Sequence, residues 1–210
     1  MKIGIIGTGN VGSALGEAWS LKGHEVMMGS RDSQRAQKMA EEIKNNASGG
    51  TYEDTKKFGE VVVLAIHWSD VKSTLESMGD LNGKILIDCI NPLKPQLSGL
   101  EVGFNTSAAE EIAKMAKGAI IIKALNSIGA LHFKDPKFGE LSASGFVCGD
   151  DENAKEKVKN LVSDLGFDVV DCGPLQNARL LEPLAMLWIK LAYVHGFGPN
   201  VAFKLINKEK

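Results

Sequence analysis

The residues best suited to chemistry in this sequence are three glycines near its start, spaced as Gly7-x-Gly9-x-x-Gly12. An apolar run at residues 3–6 precedes them, and residues 13–21 carry a helical pattern. Gly7 allows a sharp turn, Gly9 leaves room for a phosphate, and Gly12 lets the helix pack closely on the strand. This order predicts a dinucleotide site, with the pyrophosphate bound by backbone N–H groups at the positive end of the helix dipole.

The end of the second predicted strand, at residues 24–28, decides which dinucleotide fits. NAD sites usually place an acid here to bind the ribose hydroxyls, whereas NADP sites place small polar and basic groups around the 2′-phosphate. Ser30 and Arg31 follow this strand, and Arg35 lies one helical turn later. A guanidinium and a hydroxyl both donate to phosphate, so the sequence favours NADP(H). Asp32 is either the N-cap of the next helix or a displaced ribose acid.

Three later strands are expected to end at the same crevice. Residues 61–66 form a continuous apolar, β-branched run, typical of a strand covered on both faces, and further strands are expected at residues 84–88 and 119–123. In a doubly wound sheet, the carboxyl ends of the strands line the cofactor crevice. The residues expected to lie there, towards the ribose and nicotinamide, are Ala65, Ile66, Trp68, Asn91, Ala124 and Asn126.

Several of these residues have an ordinary structural interpretation beside the functional one. Asn126 either orients a nicotinamide or substrate carbonyl, or is a plain turn residue. His67 is either a proton donor or a partly exposed loop histidine. Trp68 either contacts the cofactor or belongs to the core. His67 and Asn126 are the two candidates for a catalytic role, and no convincing triad or His–Asp pair accompanies them.

The alternation of strands and helices predicts an α/β fold: a doubly wound, mostly parallel Rossmann sheet in one domain, residues 1–210. Residues 45–50 are expected to form a loop, with at most a short third strand near Thr51. The long loop at residues 89–104 has a length that is usually functional. Residues 174–210 are expected to be a helical extension of the same domain that caps the cleft and contributes to a homodimer interface.

Composition narrows the range of partners. The chain has 210 residues, a net charge of −2 and no basic stripe, so a small-molecule partner is expected and nucleic acid is not. Cys89, Cys148 and Cys172 lie far apart, which predicts neither a metal site nor a disulfide framework. Residues 1–20 lack the pattern of a signal peptide, and residues 180–194 are too short and too interrupted to span a bilayer, so a cytoplasmic protein is expected.

Several motifs together resemble those of the coenzyme F-420-dependent NADP oxidoreductases and their bacterial relatives, to which the reductase domain of six-transmembrane ferric reductases is also similar. They are G-T-G-N-V-G, G-S-R after the second strand, S-A-A-E, F-V-C-G-D-D and G-P-L-Q-N-A-R-L-L-E. The resemblance covers nearly the whole chain. It implies that NADP(H) is bound at its pyrophosphate by Thr8, Gly9, Asn10 and Val11, and at its 2′-phosphate by Ser30, Arg31 and Arg35.

The resemblance also implies a second substrate, a deazaflavin or in some relatives a flavin, that stacks near the nicotinamide. Hydride would then pass directly between the two rings, and the protein would supply orientation rather than acid–base chemistry. Two departures leave this acceptor open: archaeal members have Pro where this chain has His67, and H-T-I-P where it has N-S-I-G at residues 126–129.

Two alternative functions remain at the level of sequence. A carbonyl or imine reductase would need a general acid near the nicotinamide, and Lys123, His67 or His132 would have to provide it. A non-catalytic NADP(H) sensor would bind the dinucleotide and report redox state to a partner protein.

Overall fold

Strands and helices alternate over residues 1–208, the part of the chain that the computed structural model describes. The strands are β1 (Lys2–Ile6), β2 (Glu25–Gly29), β3 (Ala47–Gly50), β4 (Val61–Leu64), β5 (Ile85–Asp88), β6 (Ile120–Ala124), β7 (Lys137–Phe138), β8 (Leu141–Ser142), β9 (Ser144–Gly149) and β10 (Asp168–Asp171). The helices are α1 (Asn10–Leu21), α2 (Ser33–Ile43), α3 (Tyr52–Phe58), α4 (Val71–Met78), α5 (Ala108–Met115), α6 (Glu152–Asp164) and α7 (Ala178–Tyr193).

Eight of these strands form one sheet in the order β10-β9-β6-β5-β4-β1-β2-β3, and β7 pairs with β8 in a separate hairpin. From β3 to β6 every neighbouring pair is parallel. The exception is β9, which runs antiparallel to β6 and parallel to β10. The predicted doubly wound, mostly parallel Rossmann sheet is confirmed.

The sheet is covered by apolar side chains on both faces. Ile3 and Ile5 pack into one core with Trp19 of α1, whereas Ile6 and Leu64 pack into a second core with residues of α4 and α5. Successive residues of a strand point to opposite faces of the sheet, so one apolar strand contributes side chains to both cores. This burial explains the unbroken apolar composition of β4, whose residues are all fully buried.

The prediction of a loop at residues 45–50 is wrong. Residues 47–50 form β3, and α3, which was not predicted, follows at once. Gly49 lets this strand run against α2, because a Cβ atom there would lie 2.3 Å from the backbone nitrogen of Gln37. Thr51 and Asp54 form a capping box, in which each side chain bonds the backbone N–H of the other, and this starts α3.

The prediction of a helical extension through residue 210 is wrong beyond α7. That helix ends at Tyr193, and residues 194–208 are irregular, while residues 209–210 lie outside the described part. Gly196 and Gly198 adopt φ angles of 77° and 76°, which favour glycine and do not continue a helix. Among the helices of residues 1–208, none is long and apolar enough to cross a membrane.

Candidate functional site

A cavity of about 860 Å³ opens at the carboxyl ends of β1, β2, β4 and β5. Its position is the crevice where doubly wound sheets bind ligands. Thirteen of the predicted site residues line it: Gly7, Thr8, Gly9, Asn10, Val11, Ser30, Arg31, Arg35, Ala65, Ile66, His67, Trp68 and Asn91. Three others, Gly12, Ala124 and Asn126, do not line it. The fold therefore brings together residues that are spread over most of the first half of the chain.

The three glycines of the first turn differ in their surroundings. Gly7 has a φ of 121°, and a Cβ atom there would lie 2.2 Å from the carbonyl oxygen of Ala65. A Cβ atom on Gly12 would lie 2.1 Å from the carbonyl oxygen of Gly7. Gly9, the N-cap of α1, has no atom within 4 Å of such a position. Gly7 and Gly12 thus shape the turn, while Gly9 leaves open space at the helix N-terminus.

The junction after β2 separates the roles of its polar residues. Asp32 caps α2, because its Oδ1 accepts hydrogen bonds from the backbone N–H of Gln34 at 3.0 Å and of Arg35 at 3.4 Å. It does not line the cavity, so of its two predicted roles the N-cap is the one present. Arg31 and Arg35 are exposed side chains on the cavity wall. Both guanidinium groups therefore lie where an anion in the cavity can reach them.

A second set of cavity residues was missed by the sequence analysis: Tyr52, Leu93, Lys94, Pro95, Gln96, Leu97 and Glu101. Tyr52 is the first residue of α3, and the capping-box pattern T-Y-E-D was the signal that could have found it. The others belong to the long loop after β5. Its base is a short antiparallel ladder, in which the Lys94 N–H donates to the Gly99 carbonyl at 2.8 Å. The expected functional length of this loop agrees with its place on the cavity wall.

His67 and Trp68 also line the cavity, just after β4. His67 is exposed and precedes a short 3-10 helix at Trp68–Asp70. Trp68 packs on the core that contains Leu64, which confirms its predicted core role, and it also lines the cavity, where a cofactor contact stays a prediction. His67 is the one residue of the three proposed general acids that reaches the cavity.

Asn126 lies behind Asn91 rather than on the cavity wall. Its side chain is 6% exposed, and its Nδ2 donates to Asn91 Oδ1 at 3.0 Å and to the Leu181 carbonyl at 3.0 Å. Asn91 Nδ2 donates in return to the Asn126 carbonyl at 2.8 Å. Ala124 is fully buried in the core. A direct cofactor contact by Asn126 or Ala124 therefore remains a prediction, and Asn91 is the amide that faces the cavity.

A buried ion network lies beside this amide pair. The Lys123 ammonium, fully buried, donates to Asp88 Oδ2 and to Glu182 Oε1, each at 2.9 Å, and to the Ile90 carbonyl. Asp88 Oδ1 accepts from the Ile90 N–H at 2.8 Å. Burial alone would lower the pKa of Lys123, but the facing carboxylates of Asp88 and Glu182 raise it. Lys123 is thus a charged structural group that fixes the backbone of Ile90, next to Asn91.

The remaining proposed acid and the nearest thiol are also unsuited to proton transfer in the cavity. His132 is buried, and its Nε2 lies 3.0 Å from the Pro199 carbonyl, away from the cavity wall. Burial, followed by the negative charge of Asp88, raises the pKa of the Cys89 thiol far above its ordinary value. Cys89 lines the cavity as a neutral thiol.

The fold and this cavity define a dinucleotide-binding protein of the Rossmann class. The family model described as "NADP oxidoreductase coenzyme F420-dependent" matches residues 2–92. The F420-dependent NADP reductase of Methanothermobacter marburgensis is 30% identical over 207 residues, which cover 91% of this chain and 92% of that protein. The chain belongs to the coenzyme F420-dependent NADP oxidoreductase family and is an NADP-dependent oxidoreductase.

Two further comparisons agree with this assignment. A crystal structure from Arthrobacter sp. FB24 superposes with a TM-score of 0.88 at 32% identity, covering 99% of this chain and 100% of that one. Metalloreductase STEAP3 of Rattus norvegicus is 29% identical over 98% of this chain, which spans 41% of that longer protein. The resemblance inferred from the sequence motifs is confirmed.

Replacing Lys123 by Met tests whether the buried network stabilises the fold. The variant leaves two carboxyl groups buried without their cation, so we expect the free energy of unfolding in urea to fall by about 3–5 kcal/mol near neutral pH. Lys137→Met, at an exposed position of β7, is the matched control and should change little.

The pH dependence of this loss has a definite sign. Burial raises the pKa of Glu182, and removal of the Lys123 ammonium raises it further, so the folded variant binds a proton more tightly than the unfolded chain. Stability then increases as pH falls, and the loss should be smaller at about pH 5 than at about pH 8. A loss below about 1 kcal/mol at both pH values would contradict a buried charge network.

Proposed function

We propose that this oxidoreductase transfers a hydride between NADP(H) and a deazaflavin of the coenzyme F-420 class, with a flavin as the second acceptor class. The observation that carries the proposal is the division of one cavity into two differently built parts. One part consists of the glycine turn and the two arginines. The other is lined by Trp68 and by the loop that contains Leu93 and Leu97.

The residues of the first part fit NADP(H). Open space over Gly9 and the N-terminus of α1, which has no acidic residue in its first turn, suit a pyrophosphate. Arg31, Arg35 and Ser30 supply donors for the 2′-phosphate. When bound, NADP(H) supplies the hydride-carrying nicotinamide. The contribution of the protein is to hold both anionic groups and so to fix the direction in which the rest of the molecule enters the cavity.

The second part fits a ring-shaped acceptor that needs no acid catalyst. Trp68, Leu93 and Leu97 line the cavity with apolar surface, and Asn91 adds an amide to the same lining. Direct hydride transfer requires alignment of two rings rather than a proton donor. Of the acids considered for a carbonyl or imine reductase, Lys123 and His132 are buried away from the cavity, which leaves His67 alone. These features favour a deazaflavin or flavin over a carbonyl or imine.

The apolar face of α7 supports a homodimer. Leu180, Leu187 and Val194 follow one another at heptad spacing and are 68%, 50% and 57% exposed. We propose that this stripe pairs with its copy in a second chain, because an isologous contact buries the same apolar surface twice.

The cofactor assignment predicts a selective loss in the variant Arg31→Ala. Because one charged contact to the 2′-phosphate disappears, the binding free energy of NADPH should weaken by about 1.5–3 kcal/mol, while NADH binding stays nearly constant. Titration calorimetry with both dinucleotides measures this difference. Lys38→Ala, at an exposed position of α2 outside the cavity, is the control. Equal losses for NADPH and NADH would refute the 2′-phosphate assignment.

The acceptor assignment predicts rapid oxidation of NADPH by coenzyme F-420, slower oxidation by FMN, and none by ketones, imines or ferric citrate. Stopped-flow absorbance with each acceptor measures these rates. His67→Gln should leave the rate with coenzyme F-420 and its pH profile unchanged, since no proton donor is needed. Turnover of an imine that His67→Gln abolishes would favour a carbonyl or imine reductase, and tight NADPH binding without turnover of any acceptor would favour the sensor.

The dimer proposal predicts that Leu187→Glu yields a monomer. A carboxylate at the centre of an apolar interface would be desolvated without a partner, which strongly opposes association. Light scattering after size exclusion measures the mass. Gln37→Glu places the same charge on an exposed position of α2 and should not change the mass of the parent protein. A parent protein that is already monomeric at high concentration would contradict the proposal.

A further inference from the structure

The acceptor-side wall of the cavity is supported from behind by the end of the chain. Leu93 and Leu97 line the cavity and also pack against a small apolar cluster centred on Trp188 of α7. This Trp188 cluster consists of Trp188, Ile189 and Ala192, on which Leu93, Leu97, Met186, Val201 and Phe203 pack. The same leucines therefore contact the cavity on one side and the C-terminal part of the chain on the other.

The segment at residues 199–205, here called the strap, is held by hydrogen bonds at every second residue. In an extended chain, the backbone groups of alternate residues point to the same side, so this spacing places the hydrogen bonds along one edge of the strap. The side chains of Val201 and Phe203 pack on the Trp188 cluster. The bonds are His132 Nε2 with the Pro199 carbonyl at 3.0 Å, Trp188 Nε1 to the Val201 carbonyl at 2.7 Å, Ser144 N–H to the Phe203 carbonyl at 3.0 Å, and Leu205 N–H to Ser144 Oγ at 2.9 Å.

The hydrogen bonds within the loop do not involve Leu97 itself. The ladder bonds lie at the base, where the Lys94 N–H donates to the Gly99 carbonyl and the Glu101 N–H to the Pro92 carbonyl, and near the tip the N–H and the Oγ of Ser98 both donate to the Pro95 carbonyl, at 3.3 and 2.9 Å. At the tip, Gln96 and Leu97 adopt φ angles of 57° and 54°, which are unfavourable for residues other than glycine. Such a conformation persists only when the surroundings impose it. Beside the two Ser98 bonds, the packing of Leu97 on the Trp188 cluster is the contact that holds the Leu97 side chain.

We infer that Trp188 and the strap are positioning elements for the acceptor substrate: they hold the Leu93–Leu97 wall in place without touching the NADP(H) part of the cavity. No residue of the Trp188 cluster on α7 or of the strap lines the cavity, so their effect must pass through Leu93 and Leu97. This inference rests on the proposed function, since it assigns the second part of the cavity to the acceptor.

Substitutions at two positions, Phe203 and Trp188, test the inference through the kinetics. Phe203→Ala removes support from behind the wall, and Trp188→Phe removes the hydrogen bond to the strap but keeps an aromatic ring in the cluster. Phe203→Ala should raise the KM for coenzyme F-420 by about tenfold, with NADPH affinity unchanged within about twofold. Trp188→Phe should have a smaller effect than Trp188→Ala. Ile206→Ala, 72% exposed and outside the cluster, is the control and should match the parent.

Hydrogen exchange provides a readout that does not depend on any acceptor. In Phe203→Ala the amides of Lys94 and Glu101 should exchange faster than in the parent, whereas amides of α1 near the glycine turn should not. Faster exchange supports the positioning role whether or not coenzyme F-420 is a substrate. A failure of coenzyme F-420 to react would refute only the proposed function. Unchanged exchange, or an acceptor KM that rises together with a loss of NADPH affinity, would overturn the inference.

Discussion

The constraint on which the cavity depends is the burial of the Lys123 ammonium between two carboxylates. Moving three charged groups out of water costs several kcal/mol per group, so the network is tolerated only because nearly every donor and acceptor has a partner. The Lys123 ammonium has three acceptors, from Asp88, Glu182 and Ile90. The Glu182 carboxylate also binds the N-terminus of α5, where the backbone N–H groups of Ala108 and Ala109 donate to it at 2.9 and 3.2 Å.

This network joins the sheet to the C-terminal helix. Asp88 ends β5, Lys123 belongs to β6 and Glu182 to α7, so one ammonium group links three elements that are far apart in sequence. The two carboxylates carry one negative charge more than the single ammonium balances. The Glu182 carboxylate lies at the positive end of the α5 dipole, which offsets part of this excess charge. Because Ile90 is bonded through both its N–H and its carbonyl, Asn91 enters the cavity in a fixed orientation.

The parts of the site that were predictable from the sequence are those formed by residues close together in the chain. The glycine turn and Arg31 depend on a strand, a turn and a helix that are contiguous in the chain, so their spacing alone locates them. Tyr52 was missed because glycine-rich β3 has none of the apolar alternation by which strands are recognised. Asn126 was expected on the cavity wall, but α7 covers the end of β6 and engages its amide through the Leu181 carbonyl. That contact spans a large sequence separation and leaves no local pattern.

The buried lysine did leave a signal that could have been used. A lysine inside an otherwise apolar strand requires an anionic partner, and a strand that ends in aspartate lies next to it in the predicted sheet. The identity of the second carboxylate was not accessible in this way, since Glu182 sits in an apolar helix whose position depends on tertiary packing.

The two parts of the cavity are consequently held by different kinds of interaction. The glycine turn of the proposed NADP(H) part is built from backbone geometry at adjacent strand ends, which few substitutions can alter without disrupting the sheet. The proposed acceptor part is lined by Leu93 and Leu97, which pack against Trp188, Val201 and Phe203 in contacts that close a loop of roughly a hundred residues. Apolar packing of this kind tolerates volume-conserving substitutions far better than backbone geometry does. Under the proposed function, a chain of this design therefore changes its acceptor through the loop, α7 or the strap, while the glycine turn stays the same.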